Sequence, residues 1–540
     1  MRESYTPVLI AGGSLVGLSS AVFLARQGVS CMLVERHPGT SVHPRAVGYY
    51  PRTMELLRQA GLEERALKAA AGFASHRTRA GVESLAGATR FSRTEMDEDD
   101  LGAVTPCRLL LLTQDRLEPL LREEAEHLGA DLRFATTLTS FTQDRTGVDA
   151  ELFDEQTGRT WRMRSDYLIG ADGPRSRVRE ALGISRTGKG VLSRHVSIAF
   201  HADLAAVLDG RRFSVVHVEN DQVRGILVHD DTLREGTLIV GYDPERGESL
   251  DDFTDQRCER LVRAAIGVAD IDVRIRSRFP WDMAESTATR YVDARVLLAG
   301  DAAHVIPPTG GYGANTGIAD AHNLAWKLAA VLAGTAGPEL LDTYDSERRP
   351  VGAFAAAQGA LQLAVRSGTA TAEQRAAAFD AQVVTMGYAY PAPGDPVPFA
   401  LDPAERTAEP GTRAPHVWLP GDGGQTSTLD LVGTGFTLLT AGDGERWTTA
   451  ARAAAAVTGV PVEAHAIDPG TPGFTGRYGL DPGGAALIRP DGFVARRFPA
   501  GSGDPARELT AAIRNVLFPD SPPARERVPD RAPASREETA

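Results

Sequence analysis

The chain has 540 residues, more than one hydrophobic core can organise, which predicts two or three domains. A hydrophobic content of 42% and a charged content of 24% are typical of a globular protein and exclude a disordered or coiled-coil chain. The formal net charge of -13 leaves no basic surface for nucleic acid or an acidic membrane. Cys31, Cys107 and Cys258 lie far apart without metal-ligand spacing, which favours a reducing, cytoplasmic location.

The first predicted element follows an uncharged segment at residues 8–25 that could pass for a signal peptide or membrane anchor. Glycines interrupt that segment where a strand should turn into a helix, and a second strand follows in place of a cleavage site. The pattern predicts a strand at 8–11, a helix at 15–27 and a strand at 29–35, which form a βαβ unit. We therefore expect a parallel sheet and no membrane attachment.

The middle of the chain alternates between helical and strand patterns. Helices are predicted at 52–60 and 114–128, and strands at 131–134, 148–153 and 160–169. A strand-rich block at 183–278 follows, with strands predicted at 213–218, 225–228 and 237–242. Because this block lacks a nucleotide fingerprint, it fits a substrate domain inserted into the first domain.

Parallel-sheet character returns with a strand at 296–299 and alanine-rich helices at 317–332 and 346–365. Prolines and acidic residues then cluster, which predicts a linker at 386–415. The predicted α/β unit at 416–518 comprises strands at 437–439 and 462–467, helices at 448–457 and 506–518, and a hairpin with arms 485–488 and 493–496 around Pro490-Asp491-Gly492. The charged, proline-rich tail at 519–540 is predicted to be disordered.

The turn after the first strand carries the first chemical motif, Gly12-Gly13-Ser14-Leu15-Val16-Gly17. In a dinucleotide fold, Gly12 permits the tight turn, the second position lets the backbone approach the pyrophosphate, and Gly17 lets helix and strand pack closely. The helix N-terminus then points free N–H groups at the phosphate. Ser14 stands where the second glycine of GxGxxG is expected, which weakens the motif taken alone.

Two residues at the end of the second predicted strand strengthen this reading. Glu35 stands where an acidic side chain accepts hydrogen bonds from ribose hydroxyls. Arg36 follows it and could cover an adenine ring or be an ordinary surface arginine. With the turn, strand and helix in register, we favour ribose binding by Glu35.

The second motif follows the strand at 296–299, where Asp301 stands at the C-terminal end of a parallel strand and could bind a ribityl hydroxyl. The glycine-rich segment 307–317 is predicted to be a loop that lets a planar ring approach the backbone. The helix that follows would stabilise negative charge on a reduced flavin. The candidate cofactor contacts in this segment are Pro308, Gly310, Gly311, Gly313, Ala314 and Asn315.

A third segment, Asp172-Gly173, also ends a predicted strand and, taken alone, would be an ordinary turn. In this order and spacing the three motifs resemble those of the single-component FAD-dependent aromatic hydroxylases. The first turn with Glu35 resembles the family's ADP-binding fingerprint, Asp172-Gly173 its DG motif, and Gly300-Asp301 its second FAD motif. Arg45, within Pro44-Arg45-Ala46, and Gln114 are similar to positions that contact the cofactor in the family.

The resemblance covers residues 5–365 strongly and implies an α/β fold. It implies a discontinuous Rossmann-like FAD-binding domain (1–182 and 279–385), an inserted antiparallel β-sheet substrate domain (183–278) and a thioredoxin-like α/β domain (416–518). The C-terminal unit resembles that of the bacterial polyketide hydroxylases, including the anthracycline and angucycline hydroxylases, but lacks a redox CxxC. We therefore expect it to have a structural or dimer-contact role in a monomer or homodimer.

The chemistry that the resemblance implies resides mainly in the cofactor. NAD(P)H reduces FAD, O₂ adds at C4a, and the hydroperoxide transfers one oxygen atom to a polycyclic aromatic polyketide. The protein orients the rings and excludes water. A base near a substrate phenol would help, and His201, His217 and His229 are candidates, but the sequence assigns no catalytic residue.

The sequence alone is compatible with other interpretations. A Baeyer–Villiger or ring-rearranging monooxygenase would share the same scaffold, and a non-catalytic flavin-binding protein would carry the same cofactor motifs. A halogenase relative would carry a WxWxIP segment, which the sequence lacks. A reductase with two dinucleotide domains would need a second GxGxxG, and Gly433-Thr434-Gly435 lacks the third glycine.

Overall fold

A computed structural model describes residues 4–42, 46–73, 75–94, 101–390, 397–420, 425–501 and 503–519. None of its helices in these ranges has the length and apolar character needed to cross a membrane. The helices, in chain order, are α1 (Leu15–Arg26), α2 (Pro51–Gln59), α3 (Glu63–Ala69), α4 (Gln114–His127), α5 (Arg177–Ala181), α6 (Ala205–Leu208), α7 (Asp255–Ile266), α8 (Tyr312–Leu332), α9 (Asp342–Arg366), α10 (Ala372–Ala376), α11 (Ala381–Met386), α12 (Gly444–Thr458), α13 (Phe474–Tyr478) and α14 (Pro505–Leu517).

Most strands belong to three larger sheets. In chain order they are β1 (Ser4–Ala11), β2 (Cys31–Glu35), β3 (Gly48–Tyr49), β4 (Thr78–Val82), β5 (Thr89–Thr94), β6 (Leu110–Leu111), β7 (Asp131–Phe134), β8 (Thr136–Gln143), β9 (Val148–Asp154), β10 (Thr160–Gly170), β11 (Arg186–His201), β12 (Phe213–Glu219), β13 (Arg224–His229), β14 (Glu235–Tyr242), β15 (Arg274–Ala288), β16 (Val292–Asp293), β17 (Val296–Leu298), β18 (His304–Val305), β19 (Trp418–Leu419), β20 (Thr426–Ser427), β21 (Phe436–Ala441), β22 (Val462–Ile467), β23 (Ala485–Ile488) and β24 (Val494–Phe498).

The first sheet has the order β16-β17-β10-β1-β2-β7, and β17, β10, β1, β2 and β7 are parallel. Its central strands are buried on both faces, as their uninterrupted apolar residues require, and Val8, Leu9 and Ile10 are fully buried. Helices α1, α4 and α8 pack around this core. Because the strands are parallel, the turns that follow β1, β2, β10 and β17 meet at one edge, where ligands bind in open α/β sheets.

The second sheet has the order β18-β15-β11-β14-β13-β12-β4-β5 and is antiparallel except between β12 and β4. One face packs on α7 through buried residues that include Val196, Ile198 and Val262. The sheet takes β4 and β5 from residues 78–94, which the sequence pattern did not predict as strands, and β18 from between Asp301 and the glycine-rich segment. It therefore extends past the block at 183–278, because strands of two to six residues carry too few alternating positions to be recognised.

The C-terminal unit contains a four-stranded sheet with the order β22-β21-β23-β24. β21 pairs in parallel with β22 and antiparallel with β23, and the predicted hairpin is confirmed by the β23–β24 pairing around Gly492 (φ +81°). The predicted linker is described except for residues 391–396, and its Ala408 and Ala414 are fully buried. Of the predicted tail, residues 520–540 lie outside the described residues.

Candidate functional site

The turn between β1 and α1 can be built only with glycine at two positions. Gly12 has φ +110°, and a Cβ there would lie 2.3 Å from the carbonyl oxygen of Ala171 at the end of β10. A Cβ on Gly17 would lie 1.8 Å from the carbonyl oxygen of Gly12, so α1 packs directly on the turn. This bare backbone surface is what a pyrophosphate needs for close approach.

Glu35 lies beside the first turn at the end of β2. Its Oε2 accepts a hydrogen bond from the Gly13 N–H (2.7 Å), and its Oε1 accepts one from the His37 N–H (2.9 Å). The Glu35 side chain is 12% exposed, so the carboxylate is held firmly but still reaches solvent, as a ribose contact requires. Arg36 is exposed on the surface next to it.

Ser14 occupies the N-cap of α1 without capping it. Its hydroxyl donates to Glu118 Oε1 (2.6 Å) on α4 and accepts a hydrogen bond from Gln114 Nε2 (2.8 Å). Within the described residues, no side chain caps the first turn of α1, whose N–H groups are therefore available to an anion. The departure from GxGxxG thus has a physical reason, since the serine hydroxyl ties α1 to α4.

Glu118 is fully buried and was missed by the sequence reasoning. Its second oxygen accepts a hydrogen bond from the Ser41 N–H (2.7 Å), so it joins α1, α4 and the segment after β2. The available signal was its spacing four residues after Gln114, which places both side chains on one helix face. Arg45, a predicted cofactor contact, lies outside the described residues.

The structure brings the second motif against the first. Gly300, with φ +60°, begins the 3₁₀ turn that carries Asp301 after β17. A Cβ on Gly300 would lie 2.7 Å from Val16 Cγ2, and one on Gly317 would lie 2.5 Å from the same atom. Helices α1 and α8 therefore meet at Val16, with the two predicted cofactor motifs on either side.

Asp172 lies near the first turn, but its carboxylate is used locally. It accepts hydrogen bonds from the Ser176 hydroxyl (2.5 Å) and the Val178 N–H (3.1 Å), which orders the start of α5. Arg186, the first residue of β11, was missed by the sequence reasoning. Burial and the charge of Arg179 lower the pKa of Arg186 to about 10, while the charges of Asp301 and Asp172 oppose that shift. Both predicted aspartates therefore act on one half-buried guanidinium.

The glycine-rich segment is shorter as a loop than predicted. Gly311 donates its N–H to the carbonyl of Pro308 (2.9 Å), and Gly310 and Gly311 have φ values of +99° and +71°. Helix α8 then starts at Tyr312, so Gly313 and Ala314 lie in its first turn and the prediction of a loop to residue 317 was wrong. The left-handed Gly311 permits this early start, and the described residues provide neither a side-chain cap nor an acidic residue in the first turn.

Asn315 lies in the first turn of α8, and its side chain is engaged within the protein. Its Oδ1 accepts hydrogen bonds from the Tyr50 N–H (2.8 Å) and the Thr53 hydroxyl (2.6 Å). Its Nδ2 donates to the carbonyls of Gly48 (3.1 Å) and Gly311 (2.8 Å). These four bonds saturate the amide, so the side chain fastens α8 to the start of α2 and only its backbone remains for a cofactor.

The structure separates the three histidines considered as bases. His229 is buried; its Nε2 accepts from the Phe213 N–H (3.2 Å), its Nδ1 contacts the Asp230 carbonyl (2.9 Å), and burial lowers its pKa to about 4. His201 pairs with Glu235 (3.0 Å) near the end of β11. His217 is half-buried on the face of the second sheet opposite α7.

That face carries one row of side chains across seven strands, which we call the outer row. The residues that alternate with its members pack on α7, so the row points the other way. Strand register aligns its members as Phe279, Ser197, Ile239, Ile226, His217, Gly81 and Phe91. A Cβ on Gly81 would lie 2.3 Å from Phe91 Cε1, so this ring lies flat over the glycine. The row is a mainly apolar platform with one titratable group.

The second sheet leads into the glycine-rich loop. Strand β18, which pairs with β15 in the second sheet, leads directly into that loop. Burial, and then the charges of Arg79 and Arg366, lower the pKa of His217. The charge of Arg366 also acts on Tyr312, the first residue of α8. The charge of Arg366 therefore acts both on the outer row and on the start of α8.

Comparison with known proteins assigns the family. Residues 5–358 match the family described as FAD binding domain, and residues 407–519 match that described as aromatic-ring hydroxylase, C-terminal. The chain is 43% identical to tetracenomycin A2 monooxygenase-dioxygenase of Streptomyces glaucescens, over 96% of this chain and 98% of that protein. It is also 43% identical to 4-methyl-5-nitrocatechol 5-monooxygenase of a Burkholderia species, over 95% of this chain and 97% of that protein.

A solved structure agrees with this result. The crystal structure of aklavinone-11 hydroxylase with FAD and aklavinone matches with a TM-score of 0.87 at 38% identity, covering 96% of this chain and 100% of the other. The chain belongs to the FAD-dependent aromatic-ring hydroxylases. It is an FAD-dependent monooxygenase, and the glycine turn, the uncapped start of α1 and the carboxylates at the sheet edge fit the cofactor of that family.

Proposed function

We propose that this monooxygenase uses NAD(P)H and O₂ to insert one oxygen atom into a polycyclic aromatic substrate of the polyketide type. The observation that carries the proposal is the outer row. It offers a long, mainly apolar surface in the sheet that leads into the glycine-rich loop, and fused aromatic rings match such a surface better than a single ring does. Relatives named for tetracenomycin and aklavinone support the same substrate class.

His217 and Arg366 are proposed to orient and activate a phenol group. Because its pKa is lowered from an ordinary value near 6.5, His217 is neutral at pH 7 and can accept a hydrogen bond from the phenol hydroxyl. The positive charge of Arg366 favours the phenolate form of the substrate. A phenolate ring is more electron-rich than a phenol ring and is therefore a better acceptor of electrophilic oxygen.

We propose that the cofactor-binding residues lie at the edge of the first sheet, where the turns after its parallel strands meet. We place the phosphates beside Gly12, Gly13 and Ser14 at the start of α1, and the adenosine ribose at Glu35. Asp301 holds the ribityl chain, and the start of α8 stabilises negative charge at the edge of the ring. Bound FAD supplies the activation of O₂, while the chain orients the substrate and excludes water.

We also propose which parts of the chain form the substrate-binding domain and the thioredoxin-like domain. The second sheet is assigned to substrate binding, with α7 on its far side. The C-terminal unit is assigned a thioredoxin-like fold, because its sheet combines one parallel pair with an antiparallel hairpin and carries α12 and α14 on one face. The domain limits given above remain predictions.

The test uses the purified holoenzyme with NADH or NADPH, O₂ and two sets of substrates, polycyclic polyketide phenols and single-ring nitrocatechols. We expect only the polycyclic set to accelerate NAD(P)H oxidation strongly and to yield products one oxygen atom heavier. His217→Ala should raise the KM for the polycyclic phenol roughly tenfold, because one hydrogen bond to the substrate is lost. His201→Ala is the control, because His201 pairs with Glu235 and should leave KM unchanged.

Three other results of this experiment would each change a different part of the proposal. Turnover of nitrocatechols alone would overturn the assignment to polycyclic substrates. A product in which oxygen enters a ring carbon–carbon bond would identify Baeyer–Villiger chemistry on this scaffold. Equal KM values for the two histidine variants would contradict the role given to His217.

A further inference from the structure

Asp320 in α8 is fully buried and joins the two ends of the second cofactor motif. Its Oδ2 accepts hydrogen bonds from the Gly300 N–H (3.1 Å) and from His304 Nε2 (2.6 Å). Gly300 begins the turn that carries Asp301, and His304 begins the strand that leads into the glycine-rich loop. One carboxylate therefore fixes both segments of the proposed flavin site.

Arg348 in α9 is also fully buried and fixes Asp320 in turn. Its Nε donates to Asp320 Oδ1 (2.8 Å), its Nη2 to the carbonyl of Thr316 (3.1 Å), and its Nη1 to the hydroxyl of Tyr390 (3.0 Å). A buried charge is stable only when it is closely paired and hydrogen-bonded, so the position of Arg348 depends on all three acceptors.

Tyr390 connects this pair to the C-terminal unit. Its ring stacks on Phe493, with ring centroids 4.2 Å apart and planes 24° from parallel. Phe493 follows the turn of the β23–β24 hairpin, and that turn is fastened to the FAD-binding domain. Asn323 of α8 donates to Asp491 (2.9 Å), and Arg489 pairs with Glu347 of α9 (2.6 Å).

We propose that the β23–β24 hairpin is a positioning element for the flavin, acting through Phe493, Tyr390, Arg348 and Asp320, which we call the hairpin relay. The relay runs from the turn of the C-terminal hairpin to the backbone N–H that precedes Asp301. The C-terminal unit thereby contributes to cofactor binding without touching the cofactor. This inference rests on the FAD site and adds a role for the C-terminal unit that is independent of substrate choice.

The test compares Tyr390→Phe with Tyr388→Phe. Tyr390→Phe keeps the stacked ring and removes the hydroxyl that Arg348 binds, and we expect the Kd for FAD to rise three- to tenfold. Tyr388→Phe is the matched control, because the Tyr388 ring lies 5.3 Å from the Arg348 guanidinium, whereas the hydroxyl that Arg348 binds is that of Tyr390. Phe493→Leu tests the hairpin end of the relay and should weaken FAD binding by a similar factor.

Three measurements separate an effect on flavin positioning from an effect on general stability. FAD is titrated into apoprotein to obtain Kd, and the visible circular dichroism of the bound flavin is recorded with the Tm of each apoprotein. An altered flavin spectrum with a raised Kd for Tyr390→Phe and Phe493→Leu, and wild-type values for Tyr388→Phe, would support the relay. A lowered apoprotein Tm with unchanged Kd and spectrum would overturn it, as would equal Kd values in the two tyrosine variants. If the wild-type chain bound no FAD, the assignment of FAD as its cofactor would be wrong, and the hairpin relay would fail with it.

Discussion

Gly12→Ala should fold but lose FAD, with a Kd at least about a hundredfold higher than that of the wild type. The new methyl group would lie 2.3 Å from the carbonyl oxygen of Ala171, and φ +110° is strained for any residue with a side chain. Because the obstacle is backbone at the end of β10, β1 and β10 must move apart where the phosphates bind. Such a displacement costs about 3 kcal/mol, which corresponds to that loss of affinity.

Gly28→Ala is the matched control for this prediction. Gly28 also has a positive φ (+75°), but a Cβ there would meet no atom within 4 Å. Its substitution should lower stability by about 1 kcal/mol through backbone strain and leave FAD binding unchanged. FAD titration and Tm are measured for both variants, and equal FAD affinity would contradict the placement of the phosphates beside Gly12.

Asp301→Ala should weaken FAD binding more than Asp172→Ala does. Loss of one or two hydrogen bonds between the Asp301 carboxylate and the ribityl hydroxyls should raise Kd roughly 10- to 100-fold. Asp172→Ala should mainly lower the stability of the protein, because the Asp172 carboxylate accepts hydrogen bonds from the Ser176 hydroxyl and the Val178 N–H at the start of α5. The expected cost is about 1 kcal/mol in the free energy of unfolding.

The measurement for this pair is FAD retained after extensive dialysis, with the melting temperature of each apoprotein recorded in parallel. We expect Asp301→Ala to lose FAD and Asp172→Ala to keep FAD at a lower Tm. The same retained fraction in both variants would show that the ranking of these two aspartates is wrong.

The sequence predicted those parts of the fold that local patterns determine. The β1-α1-β2 unit has apolar runs on either side of a glycine turn, and the β23–β24 hairpin has Asp-Gly between two short apolar arms. Helix α8 was placed five residues too late because a Gly-Gly-Tyr-Gly segment reads as a loop. Only the left-handed Gly311 and the saturated amide of Asn315 show why the helix starts at Tyr312.

The rest of the site depends on contacts between distant positions, which one sequence does not reveal. Ser14 and Glu118 are 104 residues apart, and the hydrogen bond between them explains why a serine stands where GxGxxG has its second glycine. Arg186 becomes visible only when the folded sheets bring it near Asp301 and Asp172. His217 was one of three equivalent histidines until strand register placed it on the outer row.

We infer that FAD lies along the edge where the turns after β1, β2 and β17 meet. The most direct test is to denature the purified protein, identify the released cofactor by chromatography and measure its amount per protein chain. We predict a yellow protein that releases intact FAD, one molecule per chain. A colourless protein that takes up no added FAD would contradict the account.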